Sequence, residues 1–440
     1  MPPRNGNTPK GRVAFIHPDL GLGGAERLIV DAAVGLQRRG YDVTIFTGYH
    51  NPSHAFPETV DGTLKVVPVC QWIPRSLFGK CVALFSYVKM TLVALYVNFL
   101  AISSSRRPQV IVCDQVSACI PALKLLPGFF YPKVMFYCHY PDLLQTSRGN
   151  FFKRLYRAPL DWLEEFTTGL ADKIVVNSLF TRYVFQETFR GINTTPDVLY
   201  PSINTKLFDE TMKSKQALKQ LDNINSKYTF LSLNRFERKK NIALAIRTLK
   251  KLRTCVDEEE WGSVHLVLAG GYDPRLEDSV KYLEELKKIC ANEGVVDHVT
   301  FIQSPKDDVK VHLISKCFAL LYTPSNEHFG IVPLEAMYMG KPVIAVDSGG
   351  PRETVVNEVT GFLCPATEIH FAVAMARLIK DPKIAATLGS SGKARFKEHF
   401  SFDAFSLMWD RSIEGLISTS STYGHGRAEL TGKIAREKID

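Results

Sequence analysis

The sequence predicts an α/β protein made of two Rossmann-like, doubly wound domains that face a central cleft. Three observations lead there. Short apolar runs alternate with longer helix-like stretches along most of the 440 residues, the pattern of parallel α/β folds. One polar, Lys-rich interruption divides that alternation into two halves. The motifs rich in glycine, cations or carboxylates fall directly after apolar runs, where open parallel sheets bind ligands.

In chain order, Val13–His17 reads as a strand and Ala25–Arg38 as the helix after it. Strands follow at Val43–Thr47, Leu64–Val69, Val110–Cys113, Val134–Tyr137 and Ile174–Val176. Together they predict a first domain over residues 1–200. The stretch 201–227 is polar and reads as a linker. The alternation restarts with strands at Tyr228–Leu233, Val264–Ala269, Val299–Phe301, Ala319–Tyr322 and Val343–Ala345. Helices are expected at Ile242–Arg253, Leu276–Cys290 and Ile331–Met339, and from Glu368 to Ile417. This gives a second domain over 228–417, with 418–440 as a loose polar tail.

The segment Cys81–Ile102 is apolar over 22 residues with one charge, Lys89. Its length would span a bilayer. Spanning would place strands of one sheet on opposite sides of a membrane, so the expectation is a helix lying in the interface or buried in the domain. Arg75, Lys80, Arg106 and Arg107 flank it and suit anionic headgroups.

Composition excludes several classes. With 45% hydrophobic residues the chain can bury a large core, which rules out wholesale disorder. Its nine cysteines contain no C-x-x-C pair, against a zinc ribbon or thioredoxin-like site. The start of the chain carries no apolar secretory signal, and cysteines within apolar runs fit a reducing compartment. The net charge of +9 is uneven. Residues 1–200 hold 21 Lys/Arg against 14 Asp/Glu, or +7, and 201–440 hold 33 against 31, or +2. A basic first half suits an anionic partner, although ordinary surface charge explains it as simply.

Four motifs carry candidate chemistry. Pro18–Arg27 follows the first strand and opens the first helix, and its glycines Gly23 and Gly24 let a ligand approach backbone N–H groups. From Gly21, the third glycine of a dinucleotide fingerprint would fall on Glu26, so this is not an NAD site. Asn234–Asn241 places Arg235, Arg238, Lys239 and Lys240 after a strand, where a fork and point charges meet phosphate. Ser325–Glu335 places Glu327 in a strand-to-helix loop, Gly330 at the turn and Glu335 in the helix. A carboxylate there takes ribose hydroxyls while helix-start N–H groups hold phosphate. Phe136–Asp142 is a strand ending in His139. Taken singly, each has a bland reading: a tight turn, a solvated charge run, a chance pair of glutamates, a packed histidine. No D-x-D metal-nucleotide clamp, P-loop, G-x-S-x-G elbow or H-E-x-x-H occurs.

Arg235 and Lys240, followed by the E-x₇-E of Glu327 and Glu335, resemble the retaining glycosyltransferases of the GT-B fold. The resemblance runs from Val13 to about Ile417. The strings His17–Arg27, Cys113–Cys119, Leu155–Pro159 and Thr323–Gly330 are similar to the branch that builds the lipid-linked oligosaccharide for asparagine-linked glycosylation. The resemblance implies a mannosyltransferase at the cytosolic face of the endoplasmic reticulum membrane. GDP-mannose would be the donor, and mannosyl-chitobiosyl diphosphodolichol would receive both an α-1,3 and an α-1,6 mannose. By the same resemblance the first domain faces acceptor and membrane and the second binds the nucleotide sugar. Arg235 and Lys240 would neutralise the diphosphate in place of a metal. Glu335 would hold the ribose, Glu327 the mannose, and the N–H groups of Phe329, Gly330 and Ile331 phosphate. Gly23 and Gly24 would close over the diphosphate, and His139 would bind the sugar near the reacting carbon. No nucleic acid partner or cofactor is implied. Partners would be the lipid-linked acceptor and the membrane surface, with room for other enzymes of the same pathway. The alternative left open is another GT-B glycosyltransferase, or an epimerase, using a different nucleotide sugar.

Overall fold

The computed structural model describes residues 8–74, 82–103, 107–125, 132–145, 151–214 and 226–436. The chain forms two compact units, Met1–Pro201 with Asp403–Asp440, and Ser202–Phe402.

The first unit is built on a seven-stranded sheet of order β3-β2-β1-β4-β5-β6-β7. Its strands are β1 (Arg12–His17), β2 (Asp42–Thr47), β3 (Lys65–Pro68), β4 (Val110–Asp114), β5 (Lys133–Cys138), β6 (Lys173–Val176) and β7 (Asp197–Val198). Every pairing is parallel. β1, β4 and β5 are apolar almost throughout because helices cover both of their faces. The helices of eight or more residues are α1 (Gly24–Arg38), α2 (Val82–Ser103), α3 (Phe151–Thr168) and α4 (Leu179–Thr188). Six of the seven strands were legible as apolar runs; β7 was not, since two residues carry no periodicity.

The second unit has a six-stranded parallel sheet of order β10-β9-β8-β11-β12-β13. The strands are β8 (Tyr228–Leu233), β9 (Val264–Gly270), β10 (Val299–Gln303), β11 (Ala319–Tyr322), β12 (Val343–Val346) and β13 (Gly361–Cys364). Its helices of eight or more residues are α5 (Thr205–Lys213), α6 (Ile242–Leu252), α7 (Glu277–Glu293), α8 (Asp307–Lys316), α9 (Ile331–Tyr338), α10 (Glu368–Lys380) and α11 (Pro382–Arg395). In each sheet the strand order reverses once, beside β1 and beside β8, which creates a ligand-binding crevice at the strand ends.

Three boundaries differ from the sequence reading. The second unit ends at Phe402 rather than 417. The last helix, α12 (Phe402–Arg436), packs on the first unit instead. Trp409 is fully buried, stacked on Tyr137 at 5.8 Å and tilted on Phe15 at 5.8 Å, while Tyr41 donates to Asp410 at 2.9 Å. A tryptophan of that size goes where a pocket admits it, and the pocket is in the other sheet's core. Residues 201–227 are not only linker, because α5 buries Phe208 edge-on against Tyr338 and Asp209 accepts from the Tyr338 hydroxyl. Residues 215–225 lie outside the described residues. The polar tail expected after 417 continues α12 to Arg436, with no proline to break it.

Helix α2 covers one face of the first sheet with Met90, Val93, Ala94 and Val97. Of the flanking cations, Arg75, Lys80 and Arg106, with Cys81, lie outside the described residues.

Candidate active site

In the first unit the C-terminal ends of β1, β4 and β5 bring His17, Asp114 and His139 together. Asp114 is fully buried. Its Oδ2 meets His17 Nδ1 at 2.8 Å and its Oδ1 meets His139 Nε2 at 2.8 Å. A carboxylate only accepts, so each ring nitrogen facing it carries the hydrogen. His139 is thereby fixed with its proton on Nε2, and its Nδ1 points elsewhere.

His17 is the unusual group. Burial alone would lower its pKa, but the hydrogen bond to Asp114 and the approach of Glu26 outweigh that and raise it to about 9. Glu26 Oε1 lies 3.7 Å from His17 Nε2, beyond hydrogen-bond reach, and so acts as a charge. Burial would likewise raise the Asp114 and Glu26 carboxyls, yet the histidines pull both below the usual range. The result is an alternation of charge that runs from the partly exposed Glu26 through the buried His17 and Asp114 to His139.

The glycine motif is tied to this network. Glu26 sits in the first turn of α1 and folds back over Gly23, where a Cβ would meet its carboxylate at 2.1 Å. Gly24 has open space around its Cα. A side chain at Gly23 would push the end of the Glu26 side chain away from its place beside His17, whereas Gly24 has room around it. Arg27 of the same motif is occupied by Asp31 and Glu58 and braces the loop.

In the second unit the loops after β8 and β11 converge. Lys240 Nζ lies 2.6 Å from Glu327 Oε1, and the Tyr322 hydroxyl donates to Glu327 Oε2 at 3.2 Å. Thr323 Oγ1 donates to the Lys240 carbonyl at 2.8 Å, locking the two loops. Arg235 and Lys239 are both mostly exposed and share Glu237, at 3.0 and 3.1 Å. Four consecutive-looking cations thus separate into three environments, with Arg238 on Glu285 as the third exposed one.

Glu335 lies on α9 and is buried, with Oε1 held by Lys310 Nζ at 2.5 Å. Its Oε2 is buried with no hydrogen-bond partner. Burial raises its pKa, and the charge of Lys310 opposes this. An unsatisfied buried carboxylate oxygen is costly, and this one is free to accept from a hydroxyl. Gly330 caps α9 in the left-handed region at φ 84, with the Tyr322 hydroxyl 3.2 Å from where a Cβ would stand. The loop Ser348–Pro351 supports this turn. Gly350 N–H donates to Glu327 O at 2.8 Å, and a Cβ on Gly350 would strike Phe329 O at 2.2 Å.

The structure therefore joins Lys240 to Glu327 and sets Glu335 apart on Lys310, while Gly23, Gly24 and His139 share one strand-end site in the first unit. Sequence reasoning assigned no role to His17, Asp114, Glu26, Lys310 or Gly350. His17, Glu26 and Asp114 stand inside the quoted strings at strand ends, which was the available signal. Lys310 sits in an unremarkable helix, and only the fold brings it to Glu335.

Family models match both parts of the chain: Glycosyltransferase Family 4 over residues 22–207 and Glycosyl transferases group 1 over residues 214–395. The mouse Alpha-1,3/1,6-mannosyltransferase ALG2 is 51% identical over 396 residues, covering 89% of this chain and 93% of its own. The human one is 49% identical over 414 residues, covering 93% and 97%. The chain belongs to the α-1,3/1,6-mannosyltransferase family. A more distant member, from Saccharomyces cerevisiae, is 36% identical over 448 residues, 94% of this chain and 86% of its own. As a member of that family the protein is a glycosyltransferase, and specifically a mannosyltransferase. Among solved structures, sucrose-phosphate synthase from Thermosynechococcus elongatus superposes with a TM-score of 0.68 at 21% identity, covering 93% of this chain and all of that one. Anabaena HepE in complex with UDP and glucose gives 0.64 at 19%, covering 92% and 100%. These carry the fold, which is the GT-B type that the α-1,3/1,6-mannosyltransferase sequence leads one to expect.

Proposed function

We propose that the chain transfers mannose from GDP-mannose, with retention, to mannosyl-chitobiosyl diphosphodolichol, and adds both the α-1,3 and the α-1,6 mannose. The observation that carries this reading is the identity of 51% to a protein named for both linkages, over most of both chains. The workplace is the cytosolic face of the endoplasmic reticulum membrane, with the lipid-linked acceptor as partner.

The geometry supplies a physical account. Breaking a glycosyl phosphate bond builds negative charge on the diphosphate and positive charge on the ring. Preorganised cations at the leaving group lower that barrier. Lys240 and Arg235 fill this role without a metal. Lys240 rests on Glu327 at 2.6 Å; when the diphosphate takes its ammonium, Glu327 turns to the mannose hydroxyls. Glu335 Oε2 accepts from the ribose, and the first N–H groups of α9, at Phe329 to Ile331, hold phosphate. In the first unit Gly23 and Gly24 meet the diphosphate, and His139 meets the sugar. One donor site serves both linkages, the acceptor rebinding in a second pose.

The test is mass analysis of products from GDP-mannose and a short-chain lipid-linked acceptor in detergent. The expected result is two successive hexose additions that persist in EDTA. Transfer from UDP-glucose but not GDP-mannose would overturn the donor assignment. Loss in EDTA with recovery in Mg²⁺ would overturn the metal-free clamp.

A further inference from the structure

Helix α3 carries an apolar stripe that the first unit does not cover. Phe151 is 73% exposed, Leu155 64%, Trp162 65% and Phe166 50%. Their spacing of four, seven and four residues places all four on one side of the helix. Trp162 and Phe166 stack at 5.3 Å with an interplanar angle of 6°.

The acids of α3 are turned away from that stripe. Asp161 pairs with the buried Arg157 at 2.9 Å. Glu164 is buried and accepts from the N–H groups of Asp142 and Leu143 at 2.7 and 3.1 Å. Glu165 accepts from Gly191 N–H at 2.7 Å. Among the described side chains of α3, the exposed charge is a cation, Arg154, which flanks the stripe at one end.

Helix α2 repeats the arrangement. It lies over the same face of the sheet, since Met90, Val93 and Val97 share one core with Leu160 of α3. Two helices covering one sheet face turn their outer sides in the same direction. On α2 that side exposes Leu84, Val88, Leu95, Phe99 and Ile102. Its one charge, Lys89, is tucked inward over the Tyr49 ring at 5.8 Å.

We propose that α3 is a second membrane-contact element, lying in the headgroup–acyl boundary of an anionic bilayer with the stripe Leu155, Trp162 and Phe166, beside the outer side of α2. The inference rests on the reading that the acceptor is carried on a lipid. A lipid surface is favoured over a protein partner by charge. Among the described residues both outer stripes show apolar and aromatic side chains and no unengaged carboxylate, α3 adds the exposed cation Arg154, and residues 1–200 carry +7. Aromatic rings beside basic side chains suit the headgroup level.

The experiment uses the full chain and two kinds of vesicle, phosphatidylcholine alone and with phosphatidylserine. Trp72 is also exposed, whereas Trp261 and Trp409 are buried, so Trp72→Phe leaves Trp162 as the exposed reporter. Brominated acyl chains should quench it, and Leu155→Ser/Trp162→Ser/Phe166→Ser should lower partition into anionic vesicles by about tenfold or more. Transfer to a short-chain acceptor in detergent and the thermal midpoint should be unchanged in that variant. Unquenched Trp162, in protein that does bind vesicles, overturns the proposal whether or not the triple variant folds. Undiminished vesicle binding by a folded triple variant overturns it too. Loss of self-association instead of lipid binding would make the stripe a protein interface. If the unmodified chain transfers no mannose yet Trp162 is quenched, the functional reading fails and the membrane contact stands.

Discussion

The two sheets place their chemistry at the same topological point and equip it in opposite ways. Beside β1, the first unit gathers its charges around one buried carboxylate: His17 and His139 are both held by Asp114, and Glu26 faces His17 as a charge. Beside β8, the second unit leaves its polar groups partly uncommitted: Lys240 rests on Glu327, Arg235 is exposed, and one Glu335 oxygen has no partner. The first arrangement suits a site that must hold one imidazole still. The second suits a site whose groups must exchange partners when an anionic ligand arrives.

That contrast is broken most strongly at Lys240. Replacing a preorganised cation at a leaving group costs about 3–4 kcal/mol, or a hundredfold and more in rate. Lys240→Ala is expected to abolish both mannose additions together, whereas Lys239→Ala, exposed on Glu237, should cost severalfold at most. Product masses from one-mannose and two-mannose acceptors measure this, and loss of a single linkage would reveal a second donor site.

Asp114 comes next. Asp114→Ala strands the buried His17 and should destabilise the first unit by about 3–5 kcal/mol, the cost of breaking a buried ion pair. Asp114→Asn keeps the size and one acceptor and should fold better while still losing kcat, because an amide no longer dictates the His139 tautomer. Equal kcat for Asp114→Asn and the unmodified chain would show that His139 needs no such clamp.

Glu335→Ala should raise the KM for the donor about tenfold, a lost hydrogen bond to a charged acceptor, with kcat moved less. Glu335→Gln should fall between. A kcat effect larger than the KM effect would place Glu335 at the chemistry rather than at the ribose.

A last effect is on pH-dependent stability. His17 has a folded pKa of about 9 against an ordinary 6.5. Its contribution is complete below pH 6.5 and disappears as pH rises through 9. The thermal midpoint followed at Trp409 should decline across that window, and His17→Gln should flatten the decline.

The fold was legible because both sheets announce themselves as apolar runs spaced by helices. Leu64–Val69 and Val299–Phe301 were as clear as the central strands. β7 and β13 were missed; Gly361–Cys364 is four residues beside glycine and proline turns. In the site, Lys240, Glu327, Glu335, Gly23, Gly24 and His139 could be named because their motifs lie locally after strands. What was not legible was their company. Lys310 reaches Glu335 only through the packing of α8 beside α9. Asp114 serves His17 and His139 from positions 97 and 25 residues away, and no local pattern encodes such a meeting. On α2, Leu92 packs against the core while Leu95 and Phe99 are exposed, a division that an uninterrupted apolar run does not encode.

Trp409 has a consequence for how the chain is made. The second unit is contiguous, Ser202–Phe402, whereas the first needs Asp403 and beyond. On a ribosome adding about 5–20 residues per second, the first sheet waits ~10–40 s after its own last strand for the indole that closes over Phe15 and Tyr137. During that interval the groove is open, and the second unit can finish before the first. Nascent chains halted at residue 402 should therefore show a protease-sensitive first sheet beside a resistant second one. Lengthening the chain past Ile413 should confer resistance on both.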